Sequence, residues 1–210
     1  MGIYEWFVNW VYLSVVNNWS LIGDYYYDKK SGLRTIGRYI SDNSLALYKD
    51  TRIYRPIPYR KLKEIIDDLN LTERDIFVDL GAGKGRVICV AAMKGIKKVI
   101  GVEMDKRLVD IARENIRRLS SECKPIAVVH ADVVNFDVSE GTVFFMFDPF
   151  GEETLKEVAD NIRNSLFNNP RKISIVYFRP IHRSFLDNQS WLVRQTEICS
   201  KGFLIWTNAR

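Results

Sequence analysis

The chain is poor in cysteine and histidine, the residues that build disulfide frameworks and zinc sites. Its three cysteines, Cys89, Cys123 and Cys199, are widely spaced among 210 residues, without a Cys-x-x-Cys pair or a Cys/His cluster. This spacing argues against both a disulfide framework and a zinc centre. We therefore predict no bound metal and a reducing, cytoplasmic setting.

Long apolar runs are also lacking. The longest, residues 10–16, is interrupted by Ser14 and is far too short to span a bilayer. The first twenty residues are rich in aromatics and do not have the basic start of a signal peptide. We expect them to form a helix packed on the body of the protein; a peripheral membrane contact or a dimer contact remains an alternative.

Positive charge is concentrated in one part of the chain. The net charge is +5, and residues 24–63 contain ten Lys or Arg against four Asp, so the remainder is close to neutral. Such a segment suits an acidic protein surface or a phosphate backbone. It favours a macromolecular partner, and we expect a protein in preference to a nucleic acid.

The chain before about residue 75 has the pattern of helices and loops. We predict a polar turn at residues 28–32, an extended Tyr54-Arg-Pro-Ile-Pro58 that proline keeps out of helix, and a helix over residues 59–70. Residues 1–58 are accordingly predicted to be an N-terminal cap of helices and loops.

From residue 76 onward, short apolar strands alternate with amphipathic helices. This alternation predicts an α/β, Rossmann-like, doubly wound domain over residues 59–210, with a mainly parallel seven-stranded sheet and a C-terminal antiparallel hairpin. The predicted strands are 76–80, 98–102, 126–129, 142–147, 172–178, 191–198 and 203–207, and the helices between them are 86–94, 106–119 and 152–166. Ligands of such sheets bind beyond the carboxyl ends of the strands.

A glycine-rich loop follows the first strand and opens a helix. Gly81, Gly83 and Gly85, with Ala82 between them, form a Gly-x-Gly-x-Gly pattern in which a ligand can approach the backbone closely. A P-loop needs Gly-Lys followed by Ser or Thr, but Lys84 is followed by Gly85. The dinucleotide pattern Gly-x-Gly-x-x-Gly would need glycine at position 86, which is Arg86.

Asp79 precedes this loop and indicates the charge of the ligand. A carboxylate there would repel a pyrophosphate but attract the sulfonium and ammonium groups of S-adenosyl-L-methionine. We predict that this is the cofactor.

Two more acidic residues end the next strands. Glu103, followed by Met104, is placed to accept the ribose hydroxyls of the cofactor. Asp132, followed by Val133, is placed either to accept the adenine amino group or to cap a loop.

The fourth strand ends in Asp148-Pro149-Phe150. We predict that Asp148 accepts the hydrogens of an acceptor amine and also borders the cofactor, while the ring of Phe150 packs against the target. Asp148 as the N-cap of the following helix is the alternative. Arg179 and His182 follow the fifth strand, and a surface position is preferred for His182.

These motifs resemble those of the class I S-adenosylmethionine-dependent methyltransferases over residues 54–180. DIFVDLGAGKGRV and KKVIGVE look most like the seven-strand protein lysine methyltransferases, which include the histone enzymes of the telomeric-silencing disruptor type and an archaeal branch of broad specificity. Residues 54–58 are similar to the Tyr-x-Pro-Thr-Pro entry of the archaeal branch, which implies that Tyr54 lies over the cofactor. Ile57 stands where that motif has Thr.

The resemblance leaves the acceptor class open. The Asp148 motif departs from the Asn-Asn-Phe of the histone enzymes and is similar to the Asp/Asn-Pro-Pro-aromatic motif of nucleic-acid amino methyltransferases, with one proline fewer. We expect an N-methyltransferase that acts on a protein lysine. A nucleic-acid base as acceptor, or a cofactor-binding module without activity, is the alternative.

Overall fold

The computed structural model describes residues 22–37, 54–119, 125–195 and 202–209. The expectations for the aromatic first twenty residues, and for Cys123 and Cys199, lie outside these ranges. Cys89 is buried. Among the residues that the structure describes, no helix has the length and apolarity needed to cross a bilayer.

Seven strands form a single sheet. The strands are β1 Ile76–Leu80, β2 Lys98–Glu103, β3 Ile126–His130, β4 Val143–Phe147, β5 Ser174–Phe178, β6 Leu192–Gln195 and β7 Phe203–Asn208. Their order across the sheet is β3-β2-β1-β4-β5-β7-β6. The first five strands are parallel, and β7 runs antiparallel to both β5 and β6. The predicted mainly parallel sheet and its C-terminal hairpin are thus confirmed.

Helices cover both faces of this sheet. Residues 22–31 are helical (α1), and the others are α2 Tyr59–Asp68, α3 Arg86–Ala92, α4 Lys106–Arg118, α5 Glu152–Asn168 and α6 Arg183–Asp187, with a 3₁₀ turn at Val133–Asn135. The start of α4 follows from its capping residue, because the carboxylate of Asp105 accepts the backbone N–H groups of Arg107 and Leu108.

Alternate strand residues supply two separate cores. Phe77 and Phe145 point to one face of the sheet, where α2, α3 and α4 pack. Phe144 and Met146 point to the opposite face, which α5 covers with Leu155 and its neighbours. Because both faces are buried there, the central strands β1 and β4 consist almost entirely of apolar residues.

The structure corrects the expected boundaries at several points. The polar turn predicted at residues 28–32 is wrong, because α1 continues to residue 31 and only Gly32, at φ 69°, turns the chain. Both buried acids of this stretch, Asp24 and Asp28, lie on α1 and face inward. The short helix α6 escaped prediction, since five residues carry too little periodicity.

The order of the strands positions the site. The chain leaves β1 toward β2 and β3, and then crosses back so that β4 pairs with the other side of β1. This reversal opens a crevice at the carboxyl ends of β1 and β4, where sheets of this type bind ligands. The division of the chain at residue 58 stays a prediction.

Candidate active site

The loop after β1 is held in a shape that requires glycine. Gly81, Gly83 and Gly85 have φ values of 88°, 55° and 82°. Residues with a Cβ rarely adopt this left-handed region. The backbone N–H groups of Gly81 and Ala82 both donate to the carbonyl oxygen of Val102, at 2.9 Å each, and so fix the loop to β2.

Two of the predicted motifs pack directly on this loop. A Cβ added at Gly81 would lie only 2.5 Å from the Cβ of Pro149, and one at Gly83 would overlap the ring of Tyr54. Tyr54 is itself held by its hydroxyl, which donates to the carbonyl of Thr35 at 2.8 Å. The structure therefore brings together the glycine loop, the Tyr54 segment and the Asp148-Pro149-Phe150 segment.

Asp79 is a buried carboxyl group at the start of the loop. Only 2% of the residue is exposed, and within the described residues its Oδ2 has no hydrogen-bond partner. Burial, with a smaller contribution from the charge of Glu103, raises the pKa of Asp79 well above its ordinary value. An unsatisfied buried acid of this kind points to a missing polar or cationic ligand.

Glu103 braces the glycine loop from the end of β2. Its Oε2 accepts the N–H of Gly83 at 2.8 Å and its Oε1 accepts the N–H of Asp105 at 2.9 Å. Burial raises its pKa, although both hydrogen bonds act to lower it. Met104 follows, and its carbonyl lies 3.0 Å from Nε2 of His130.

Asp132 occupies the position that was expected at the end of β3. It is the N-cap of the 3₁₀ turn, and its Oδ1 accepts the N–H of Val134 at 3.0 Å. Val133 packs against the second core. The capping alternative is therefore realised, and contact with an adenine amino group stays a prediction.

Asp148 follows β4 in an unusual backbone conformation. Its φ is 39°, in the left-handed region, and only 5% of the residue is exposed. The N-cap of α5 is Gly151, so the interpretation of Asp148 as a helix cap is wrong. Strain in a non-glycine residue is typical of functional sites.

Phe150 lies deeper than we expected. It is 7% exposed and belongs to the second core, together with Met146 and Leu155. Its ring thus supports the Asp148 segment from below, and direct packing against an acceptor stays a prediction.

Beside Asp148, the residue after β5 has the same backbone strain. Arg179 is exposed and has φ 53°. His182 lies with its Nδ1 3.6 Å from Oε2 of Glu152, the first residue of α5. The surface position expected for His182 is wrong, because the residue is half-buried.

Sequence reasoning missed a buried arginine next to the glycine loop. Arg86, the first residue of α3, pairs with Asp24 at 2.6 Å across 62 positions of the sequence. One signal pointed to it: a cation at a helix N-terminus opposes the helix dipole and needs a compensating acid. Nothing in the spacing identified that acid.

The site fits S-adenosylmethionine. The loop leaves its backbone open to a ligand, while Asp79 offers an unsatisfied carboxyl oxygen to a cationic group. Glu103 places a carboxylate at the end of the neighbouring strand. No cluster of His, Cys, Asp or Glu able to hold a metal occurs within the described ranges.

Comparison with known proteins agrees with this fold, which is that of a class I S-adenosylmethionine-dependent methyltransferase. The model of the family "Histone methylation protein DOT1" matches residues 39–143, half of the chain. The chain belongs to this family. The predicted resemblance, enzyme class and cofactor are thereby confirmed at the level of the family.

Individual relatives differ in their acceptors. A protein-lysine N-methyltransferase of Saccharolobus islandicus is 32% identical over 95 residues, which are 45% of this chain and 58% of that protein. An rRNA adenine N-6-methyltransferase of Bacteroides fragilis is 35% identical over 77 residues, 37% of this chain and 27% of that protein. The chain thus spans less than two thirds of the curated relatives it matches.

A solved structure shares the fold. The protein PH1948 of Pyrococcus horikoshii superposes with a TM-score of 0.54 at 24% sequence identity, covering 75% of this chain and 87% of that one. At this identity the likeness concerns the fold alone.

Proposed function

We propose that the protein transfers a methyl group from S-adenosylmethionine to a protein lysine amino group. The observation that carries the proposal is the position of Asp148. This buried carboxyl group follows β4 in a strained conformation, and the next residue, Pro149, packs on Gly81 of the glycine loop. An acid that can bind an amine therefore stands beside the loop that fits the cofactor.

The residues on the β1 and β2 side would hold the cofactor. S-adenosylmethionine, when bound, supplies a methyl group activated by a sulfonium. Asp79 receives a cationic group of the cofactor and Glu103 the ribose hydroxyls, whereas Tyr54 covers the loop at Gly83. Asp132 would accept a hydrogen bond from the adenine amino group through Oδ2, because its Oδ1 already accepts the N–H of Val134.

Asp148 orients the acceptor. Its carboxylate accepts an N–H of the amine and so directs the nitrogen lone pair toward the glycine loop. Positioning of this kind lowers the barrier of a displacement without a covalent intermediate. The buried ring of Phe150 keeps the Asp148 segment rigid.

A nucleic-acid base is the second candidate acceptor. It is supported by the likeness of the Asp148 motif to that of nucleic-acid amino methyltransferases and by the Bacteroides fragilis relative. The basic segment between residues 24 and 63 would then contact phosphates. Family membership and the Saccharolobus islandicus relative favour the protein acceptor.

The two acceptors are separated by labelling. Purified protein is incubated with cell extract and methyl-labelled S-adenosylmethionine, and the product is digested with protease or with nuclease. We expect protease to release the label, in a form that comigrates with methylated lysine. Release by nuclease would establish the base acceptor, and no labelling would leave a cofactor-binding module.

Asp148→Ala, which removes the side-chain acceptor, serves as the negative control for this labelling. Asp160→Ala is the matched variant, because Asp160 is an exposed acid in the middle of α5. It should label the extract as the wild type does.

A further inference from the structure

Arg86 is almost completely buried where the glycine loop becomes α3. Only 2% of it is exposed. Its Nη1 lies 2.6 Å from Oδ2 of Asp24 and 2.7 Å from the carbonyl oxygen of Ile57, and its Nε donates to Oγ1 of Thr35 at 2.7 Å. The guanidinium also stacks 4.1 Å from the ring centre of Tyr59. One side chain thus joins three separate segments to the loop.

The acids of α1 complete this network. Asp24 accepts the N–H of Tyr59 through its other oxygen, at 2.8 Å. Asp28 accepts the N–H and hydroxyl of Thr35, at 2.7 and 2.8 Å, and the hydroxyl of Tyr59 at 2.6 Å. The position of Thr35 is therefore fixed from both sides.

Stability alone does not account for such an arrangement. Burying an ion pair costs desolvation energy that the pair recovers only in part, and apolar residues of the same size often serve as well. The cation also stands at a helix N-terminus, where the dipole disfavours it. An ion pair that carries this desolvation cost, yet fixes the geometry of three segments closely, suggests that its role is positioning.

The segment that Arg86 holds contacts the glycine loop directly. Nζ of Lys84 donates to the carbonyl of Ile36 at 2.8 Å, and the hydroxyl of Tyr54 donates to that of Thr35. The ring of Tyr54 in turn packs on Gly83. Displacing Thr35 would therefore release both side chains that support the loop from outside.

We propose that Arg86 is a positioning residue, which makes cofactor affinity depend on the docking of α1 through its ion pair with Asp24. The proposal rests on the assignment of the glycine loop to S-adenosylmethionine. It links α1, remote in sequence, to the cofactor site, and it requires the reciprocal effect that bound cofactor strengthens the docking of α1.

Binding of S-adenosylhomocysteine, measured by calorimetry, tests the first half. We expect Arg86→Met and Asp24→Asn each to weaken binding by roughly 5- to 150-fold, the range of typical coupling energies. The double variant should bind no more weakly than the worse single one, because both changes break the same link. Arg86→Lys keeps the charge but not the fork of donors, so its affinity should be intermediate.

Trypsin cleavage tests the reciprocal effect. Lys29, Lys30 and Arg34 are exposed, and cleavage there requires α1 or the turn after it to open. S-adenosylhomocysteine should slow cleavage at these residues in the wild type but not in Arg86→Met. Lys98→Met, which breaks an exposed ion pair with Glu140, is the matched control and should behave as the wild type.

The outcomes are distinct. If the wild type does not bind S-adenosylhomocysteine, the cofactor assignment fails. If the wild type binds, and Arg86→Lys and Arg86→Met bind as tightly as the wild type, Arg86 has a structural role only. The same follows if S-adenosylhomocysteine leaves trypsin cleavage of the wild type unchanged. Should Arg86→Met not fold, Arg86→Lys decides alone, and unchanged affinity in that variant overturns the proposal.

Discussion

The carboxyl ends of β1 and β2 differ in kind from those of β4 and β5. On the first side, the acid at the end of β2 is tied to backbone N–H groups, and the loop beside it is covered by Tyr54. On the second side, the residue after each strand, Asp148 or Arg179, has a left-handed φ. Arg179 is exposed, whereas Asp148 is not.

Such a division of the site allows one fold to keep the same cofactor while the acceptor differs from one protein to another. The β1 and β2 side is preorganised around a single ligand by backbone contacts that tolerate little change. The β4 and β5 side stores strain and presents exposed side chains. The Saccharolobus islandicus relative is a protein-lysine methyltransferase and the Bacteroides fragilis relative is an rRNA adenine methyltransferase, so relatives of this chain differ in their acceptors.

The sharpest test of this contrast is Asp148→Ala. If the acid orients the acceptor, turnover should fall on the order of 100-fold or more, because an interaction made with the reacting nitrogen is lost. The affinity for S-adenosylhomocysteine should stay nearly unchanged. Steady-state kinetics with labelled cofactor, together with calorimetry, measures the two quantities.

A parallel loss of cofactor affinity would instead place Asp148 on the cofactor side. Melting temperature provides the control, since relief of strain at φ 39° would stabilise a glycine variant. Asp148→Gly should therefore be as inactive as Asp148→Ala without being less stable.

Glu103→Ala tests the other side of the contrast. Hydrogen bonds to a charged group contribute about 1.5–3 kcal/mol, so S-adenosylhomocysteine should bind roughly 10- to 150-fold more weakly. Glu103→Gln retains an oxygen that can accept the N–H of Gly83, and it should lose less affinity. NAD should bind to none of the three proteins; binding of NAD, or unchanged affinity in Glu103→Ala, would contradict the assignment.

The raised pKa of Asp79 makes cofactor binding pH-dependent. In the free protein the group retains a proton above its ordinary pKa, because burial and Glu103 disfavour its charge. A cationic ligand lowers that pKa, so binding releases the proton and affinity should increase with pH, by about tenfold per pH unit at most. Calorimetry in buffers of different ionisation enthalpy measures the released proton.

The stability of the free protein should change in the opposite direction. Because the folded state binds this proton more tightly than the unfolded state does, the contribution of Asp79 to stability decreases as pH rises through its folded pKa. Asp79→Asn should abolish both effects. Proton release that persists in Asp79→Asn would locate the titrating group elsewhere.

The smallest effect is expected from the basic surface of α2. Reversal of Arg60, Lys61 and Lys63 to Glu should raise the KM for the acceptor a few-fold and leave cofactor affinity unchanged, because these charges act mainly on encounter. Arg60 and Lys61 already pair with Glu64, which limits the effect. The wild-type KM should also increase with salt, since exposed charges are screened beyond about 10 Å at 0.1 M.

A matched reversal of Arg74, Lys97 and Lys98 checks the location of this effect. These residues lie at the amino ends of β1 and β2, whereas the site lies at the carboxyl ends of the strands. Their reversal should not change the KM. Equal effects of the two triple variants would indicate that only net charge matters.

The sequence carried enough information for the sheet and the glycine loop because both depend on local patterns. Apolar strands and Gly81, Gly83 and Gly85 are visible without knowledge of tertiary contacts. Asp24, Thr35 and Arg86 escaped prediction because their meeting depends on residues far apart in the chain. The turn expected at residues 28–32 failed for the same reason, since Asp28 looks polar and exposed until its partners are known.

The contact between Gly81 and Pro149 has a consequence for redesign of the protein. A single added carbon at position 81 would lie 2.5 Å from the Cβ of Pro149, and φ 88° disfavours any residue with a Cβ, so position 81 requires glycine. The Asp148-Pro149-Phe150 segment thus packs directly on the glycine loop. A redesign for a new acceptor would therefore change position 148 and the residues after β5. It would keep Pro149, which packs on the glycine loop.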